Sequence, residues 1–223
     1  MPASPATARL IGRLGLLLLI VGLVATSYVV WQTFGTTWQS ERRHEDLRSG
    51  VERQWRDGDA TFVSEYGEVS SVVRIPAFGD DYAVPILEGT SDDVLAAGFG
   101  HVEETAGPGQ RGNFALAGHR VTHGEPLREM PSLEAGDEVV VETRDWTYTY
   151  VLDTAGDALE IPFTETWVLD DLPLNPDAGE PEPVQMRGQR LITLTTCAEL
   201  FHTDRRLVAF GHLERRQPRA ASS

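Results

Sequence analysis

Cys197 is the single cysteine of a 223-residue chain and closes the run LITLTTC. Ile192 and Leu194 alternate with Thr193 and Thr195 in that run, a period of two that predicts a buried strand with the sulfur at its end. Free cysteine is among the most buried residue types, so the bland reading of Cys197 is core packing. The chemical reading needs thiolate character, and therefore a base or a positive neighbour. His119 ends a second strand-like run, NFALAGH, and the pair Arg205 and Arg206 opens a third after the connection AELFHTDR. If the strands bearing Cys197 and Arg206 are neighbours, that connection folds a guanidinium back toward the sulfur. A Cys, His and Arg group is sufficient for acyl transfer: the thiolate attacks a peptide carbonyl, the imidazolium protonates the leaving amine, and the guanidinium binds peptide or oxyanion.

Each member has a rival. His202 lies close to Cys197 in sequence and is the alternative base, and Arg205 is the alternative to Arg206 because successive strand residues point to opposite faces. His119 and His123 are four apart, but the residues between them lack the glutamate of a metalloprotease motif, so no metal is expected. His44, His101 and His212 read as surface or strand residues. No cofactor is implied, and all 19 basic residues are arginine, which removes lysine Schiff-base and P-loop chemistry.

The elements that must position these groups follow from the hydropathy pattern. Seven runs read as strands: Ser70–Ile75, Ala83–Leu87, Phe114–Ala117, Glu138–Thr143, Thr147–Leu152, Arg190–Thr196 and Arg206–Leu213. Their close spacing favours a compact barrel or sandwich. A hairpin turn is expected at Arg144 and Asp145, with Trp146, Tyr148 and Tyr150 along one face as core. Ser91 before two acidic residues, with Gly98 beyond, predicts one short helix. The proline-rich stretch Pro173–Val184 reads as an exposed loop.

Leu14 to Phe34 holds 21 residues without a charge. As a helix that is about 32 Å, enough to cross a bilayer. An uncleaved anchor is preferred over its rival, a cleaved signal peptide, because the apolar stretch is long and the Val24–Ser27 region is a poor cleavage site. Residues 1–13 are then cytoplasmic, 14–34 the transmembrane anchor, 35–69 a charged stalk, 70–214 the catalytic barrel and 215–223 a disordered tail. In the stalk, Leu47, Val51 and Trp55 are four residues apart, which suits a short amphipathic or partly disordered spacer. Beyond residue 40 there are 17 arginines against 34 acidic residues. That balance excludes a nucleic-acid binder, which needs a basic face.

The motifs AGHR at 117–120, TLTTC at 193–197 and RRLVAFGHL at 205–213, behind a single N-terminal anchor, resemble the sortases, the cysteine transpeptidases of Gram-positive surfaces. The resemblance covers residues 70–213 and takes in RIPAFG at 74–79 and GQRGNFALAGHR at 109–120. It implies a mainly β fold, a closed eight-stranded barrel with one or two short helices. It also implies Cys197 as thioester nucleophile, His119 as acid and base, and Arg206 as substrate and oxyanion partner. Thr196 and the Ala198 amide would help to hold peptide and oxyanion. AGHRVTHGEPL at 117–127 makes the chain similar to class E, the housekeeping type of high-GC actinobacteria, although Ala198 and Glu199 stand where class E often has His-Pro. The implied reaction is cleavage of a Leu-Pro/Ala-x-Thr-Gly sorting signal between Thr and Gly and transfer of a surface protein to a peptidoglycan-precursor amine. The implied location is a single-pass position in the plasma membrane with the catalytic domain outside. A cysteine hydrolase using water and an inactive peptide-binding barrel are the alternatives.

Overall fold

The computed structural model describes residues 5–30, 36–120, 124–176, 189–196 and 204–219. Helix α1 (Pro5–Val30) is followed by α2 (Thr36–Asp57). The strands are β1 (Phe62–Ser64), β2 (Gly67–Arg74), β3 (Val84–Glu88), then after the short helix α3 (Asp92–Leu95) β4 (Phe99–His101) and β5 (Gly112–Gly118). They continue as β6 (Glu138–Glu142), β7 (Trp146–Leu152), β8 (Leu159–Pro162), β9 (Arg190–Thr196) and β10 (Arg205–Pro218).

Eight of these strands close into a ring, in the order β2, β3, β4, β5, β9, β10, β7, β6 and back to β2. The short β1 hangs on β2, and β8 hangs on the start of β10. Closure leaves no edge in the ring and lets a short alternating strand bury one face completely. Phe99, Phe114, Leu116, Ile192, Leu194, Ala209, Val139, Val141 and Tyr150 fill the interior. Tyr150 buries its ring there and keeps its hydroxyl satisfied by accepting the Gly109 N–H at 2.7 Å. The expected hairpin is β6–β7, and Ser91 caps α3 by accepting the Val94 N–H at 3.4 Å.

Two further apolar layers lie outside the ring. On one side α2 lays Leu47, Val51 and Trp55 against Val69, Val72 and Leu87. Residues four apart share a helix face, and the register shift between Val69 and Ser71 turns both Val69 and Val72 toward it. The spacer expected over 35–69 is thus a docked helix followed by β1 and the start of β2. Arg43 Nη1 donates to Ala96 O at 2.8 Å, and Arg219 stacks on Trp55 at 4.4 Å. On the other side Leu159, Ile161 and Val168 cover Val208 and Phe210.

The expected disordered tail also differs: Arg215 to Pro218 continue β10, paired with Thr149 to Trp146 of β7. Side chains of α1 are described from Arg13 to Ser27. Among the described residues no helix is long and apolar enough to cross a membrane. The expected span 14–34 runs into residues 31–35, outside the described set, as does most of the Pro173–Val184 loop.

Candidate active site

Three strands meet at one end of the barrel, where His119 and Arg206 lie and where β9 leads on toward Cys197. β5 and β9 run parallel with Gly118 opposite Thr196, so His119 and Cys197 are each the next residue beyond a matched pair of strand ends. β10 runs antiparallel on the other side of β9, with Val208 opposite Thr195. Paired residues share a face of a sheet, and faces alternate along a strand. Asn113, Ala115 and Ala117 of β5, Thr193 and Thr195 of β9, and Arg206, Val208 and Phe210 of β10 therefore form one outward face. His119 is next in the alternation of β5. Adjacent strands are about 5 Å apart, so the strands carrying the imidazole and the guanidinium flank the one leading to the cysteine. Cys197 and Ala198 themselves lie outside the described residues, as do His123 and His202.

Alternation separates the two arginines. Arg205 lies on the opposite face, where its Nε meets Glu160 Oε1 at 2.8 Å and its Nη2 donates to Glu160 O at 2.9 Å. Arg206 opposes Ile161 of β8. Its Nη2 donates to Phe163 O at 3.0 Å, and its guanidinium lies over the Phe163 ring at 3.9 Å. His119 is half-buried, and its carbonyl accepts the Leu127 N–H at 2.9 Å, which closes the loop after β5.

Thr196 is not on the shared face. It is 3% exposed, alternates with Thr195, and its hydroxyl accepts the Leu207 N–H at 3.0 Å. In this structure it fastens the ends of β9 and β10 together. The shared face is secured farther down by a buried pair: Thr193 Oγ1 donates to Asn113 Oδ1 at 2.8 Å, and Asn113 Nδ2 donates to Val168 O at 2.9 Å. That pair had no signal in the sequence beyond polar residues at strand positions, and Phe163, just after β8, had none.

The remaining described histidines have structural partners or surroundings. His101 sits between Glu88, 2.8 Å from Nδ1, and Ala106 O, 3.1 Å from Nε2. Its hydrogen bond holds the Glu88 carboxyl below the usual carboxylate range. His212 pairs with Asp153 at 2.8 Å. His44, expected to be a surface or strand residue, is instead a buried residue of helix α2, and burial, assisted by the neighbouring charge of Arg43, lowers its pKa to about 4. Among the described residues no three His, Cys, Asp or Glu groups are arranged to hold a metal ion.

Comparison with known proteins agrees with this fold. The Sortase domain pattern matches residues 73–214. Sortase SrtE1 of Streptomyces coelicolor is 34% identical over 98% of this chain, which spans 60% of that relative's length. The structure of sortase E from Streptomyces avermitilis superposes with a TM-score of 0.60 at 38% identity, covering 70% of this chain and 93% of that one. The structure of sortase E1 from Streptomyces coelicolor with a tripeptide in its active site gives a TM-score of 0.52 at 39% identity, over 66% of this chain and 89% of that one. With the pattern extending over most of the barrel and class E relatives matching in both sequence and fold, the chain belongs to the sortase family and is similar to its class E members.

Proposed function

We propose that this protein is a membrane-anchored transpeptidase that cuts a Leu-Pro/Ala-x-Thr-Gly-type signal between Thr and Gly and transfers the protein to a cell-wall amine. The Cys197 thiolate attacks the threonine carbonyl carbon, and the Arg206 guanidinium balances charge on the carbonyl oxygen. His119, as imidazolium, gives its proton to the departing glycine amine as the C–N bond breaks, leaving a thioester. An incoming amine then attacks the same carbonyl, His119 takes the proton it loses, and the thiolate leaves. Arg206 suits its task because a guanidinium stays charged throughout and presents donors in one plane.

The observation that carries this reading is the register of β5, β9 and β10, with Gly118 opposite Thr196 and Thr195 opposite Val208. It makes His119 and Arg206 companions of the strand that leads into Cys197. The uncharged stretch from Leu14 to Phe34 supports the anchor, as does the exposure of Leu16 to Val21, which none of the described residues covers. Family membership and this anchor support a surface-protein substrate and an extracytoplasmic catalytic domain as parts of the same reading.

The test is product analysis with the full chain in detergent and a Leu-Ala-x-Thr-Gly peptide, with and without an added amine. Amine-dependent ligation at threonine, absent in Cys197→Ala, is expected. Release of the free threonine acid at one rate whatever amine is present makes the protein a hydrolase. Peptide binding without cleavage makes it an inactive binding barrel.

A further inference from the structure

Phe163 is the residue after β8, and its side chain is 59% exposed. It takes no part in the apolar layer formed by Leu159, Ile161, Val168, Val208 and Phe210 just below it. All three of its polar or aromatic features are nevertheless engaged with the start of β10. Its N–H donates to Asp204 O at 2.6 Å, its carbonyl accepts Arg206 Nη2 at 3.0 Å, and its ring carries the Arg206 guanidinium at 3.9 Å. β8 is a four-residue strand whose register, Arg206 opposite Ile161, delivers Phe163 to this point.

We propose that Phe163 is a positioning residue that fixes the plane and reach of the Arg206 guanidinium for the acyl-transfer step. This rests on the role given to Arg206 above. An arginine side chain has four rotatable bonds, and ordering it at the moment of reaction costs rate. A ring against one face of the guanidinium removes much of that freedom beforehand. Stacking occupies a face, whereas the N–H donors lie in the guanidinium plane, so the contact sets the directions in which Arg206 donates without using those donors. The Phe163 carbonyl adds a second fixed point, one that survives any substitution of the side chain. The short strand β8 is then part of the site: its pairing with β10 holds the platform, and the apolar layer beneath it holds β8.

The test compares Phe163→Ala, Phe163→Leu and Phe163→Tyr with wild type and Arg206→Lys in the full chain, by kcat and KM for the signal peptide and by thermal midpoint. Removing the ring lowers kcat by about 2- to 5-fold, the rate equivalent of a solvent-exposed cation–π contact. Phe163→Leu falls as far as Phe163→Ala, because it restores apolar bulk without a π face, and Phe163→Tyr keeps wild-type turnover. In the Arg206→Lys background the loss on Phe163→Leu shrinks, since the planar partner is gone. Wild-type turnover in Phe163→Leu, or equal losses in Phe163→Tyr and Phe163→Leu, overturns the proposal while leaving Arg206 in its role. Wild-type turnover in Arg206→Lys overturns the role of Arg206 itself. A fall in thermal midpoint that tracks the activity loss across the three variants makes Phe163 a stability residue and also overturns the proposal.

Discussion

Lowering the pH tests how α2 is held on the barrel, because His44 is buried there as the neutral imidazole. It is 7% exposed, and its Nε2 has no hydrogen-bond partner among the described residues. A Cβ built on Gly124 would stand 2.9 Å from His44 Cε1 and 2.8 Å from Ser40 Cβ, so this face of α2 touches the loop that follows His119. The charged groups around it offer no relief: Arg43 repels a second cation, and Glu125, next to Gly124, is already paired with Arg128 at 2.6 Å. With a folded-state pKa of about 4 against 6.5 for the free side chain, the unfolded chain binds the extra proton first as pH falls. The stability His44 allows is therefore complete above pH 6.5 and is lost as the pH drops toward about 4. At about pH 5 the loss amounts to about 2 kcal/mol, and for a domain of this size that is a fall of about 4–8 °C in thermal midpoint. Calorimetry of wild type and His44→Leu from about pH 7.5 to pH 5 measures it, since the many surface carboxylates contribute alike to both proteins and cancel in the difference. The variant lacks this component and is expected to be at least as stable as wild type at neutral pH, having lost an unsatisfied buried nitrogen. Parallel curves for the two proteins would mean that His44 is not held neutral by burial.

Two further perturbations probe the layers outside the ring. Trp55→Ala empties the C-terminal end of the α2 contact and removes the Arg219 stack, and a loss of about 3–5 kcal/mol in urea unfolding is expected, with earlier proteolysis in α2; a loss under about 1 kcal/mol would show α2 to be undocked in solution. Thr193→Val strands the buried Asn113 Oδ1 and should cost about 1–3 kcal/mol, and because Asn113→Leu removes the same hydrogen bond, the double change should cost less than the sum of the two single losses; additive losses would contradict the pairing.

The strands that carry chemistry were readable because each is a run of about seven residues with clean alternation, long enough for period two to stand out. β1, β4 and β8 were not: with three or four residues apiece, and a glycine in the middle of β4, they offer too little pattern. The four-residue spacing of Leu47, Val51 and Trp55 was plain, but the surface it meets is made by Val69, Val72 and Leu87 on strands whose pairing no local pattern encodes. The dense charge of the segment, which includes the Glu45–Arg48 pair at 2.6 Å, belongs to the solvent face of the same helix. His44 lies in the same charged segment and is buried only because α2 packs against the barrel and the loop at Gly124.

At the site, strand ends pointed to Cys197, His119 and one of two arginines. The choice between Arg205 and Arg206 depends on which face of β10 continues that of Thr195, a question of register. Glu160, which occupies Arg205, and Phe163, which carries Arg206, lie more than forty residues upstream and enter through β8. Thr196 was expected to hold peptide because it precedes the nucleophile, yet one step of alternation turns it inward onto Leu207.

Mass spectrometry of the full-length protein after exposure to a Leu-Ala-x-Thr-Gly peptide, with no amine added, addresses the thioester directly. The expected spectrum shows one added acyl fragment ending at threonine, mapped to Cys197, lost on adding an amine and absent from Cys197→Ala and His119→Ala. An unmodified Cys197 while the peptide is being cleaved, or an acyl group carried by another residue, would contradict acyl transfer through this cysteine.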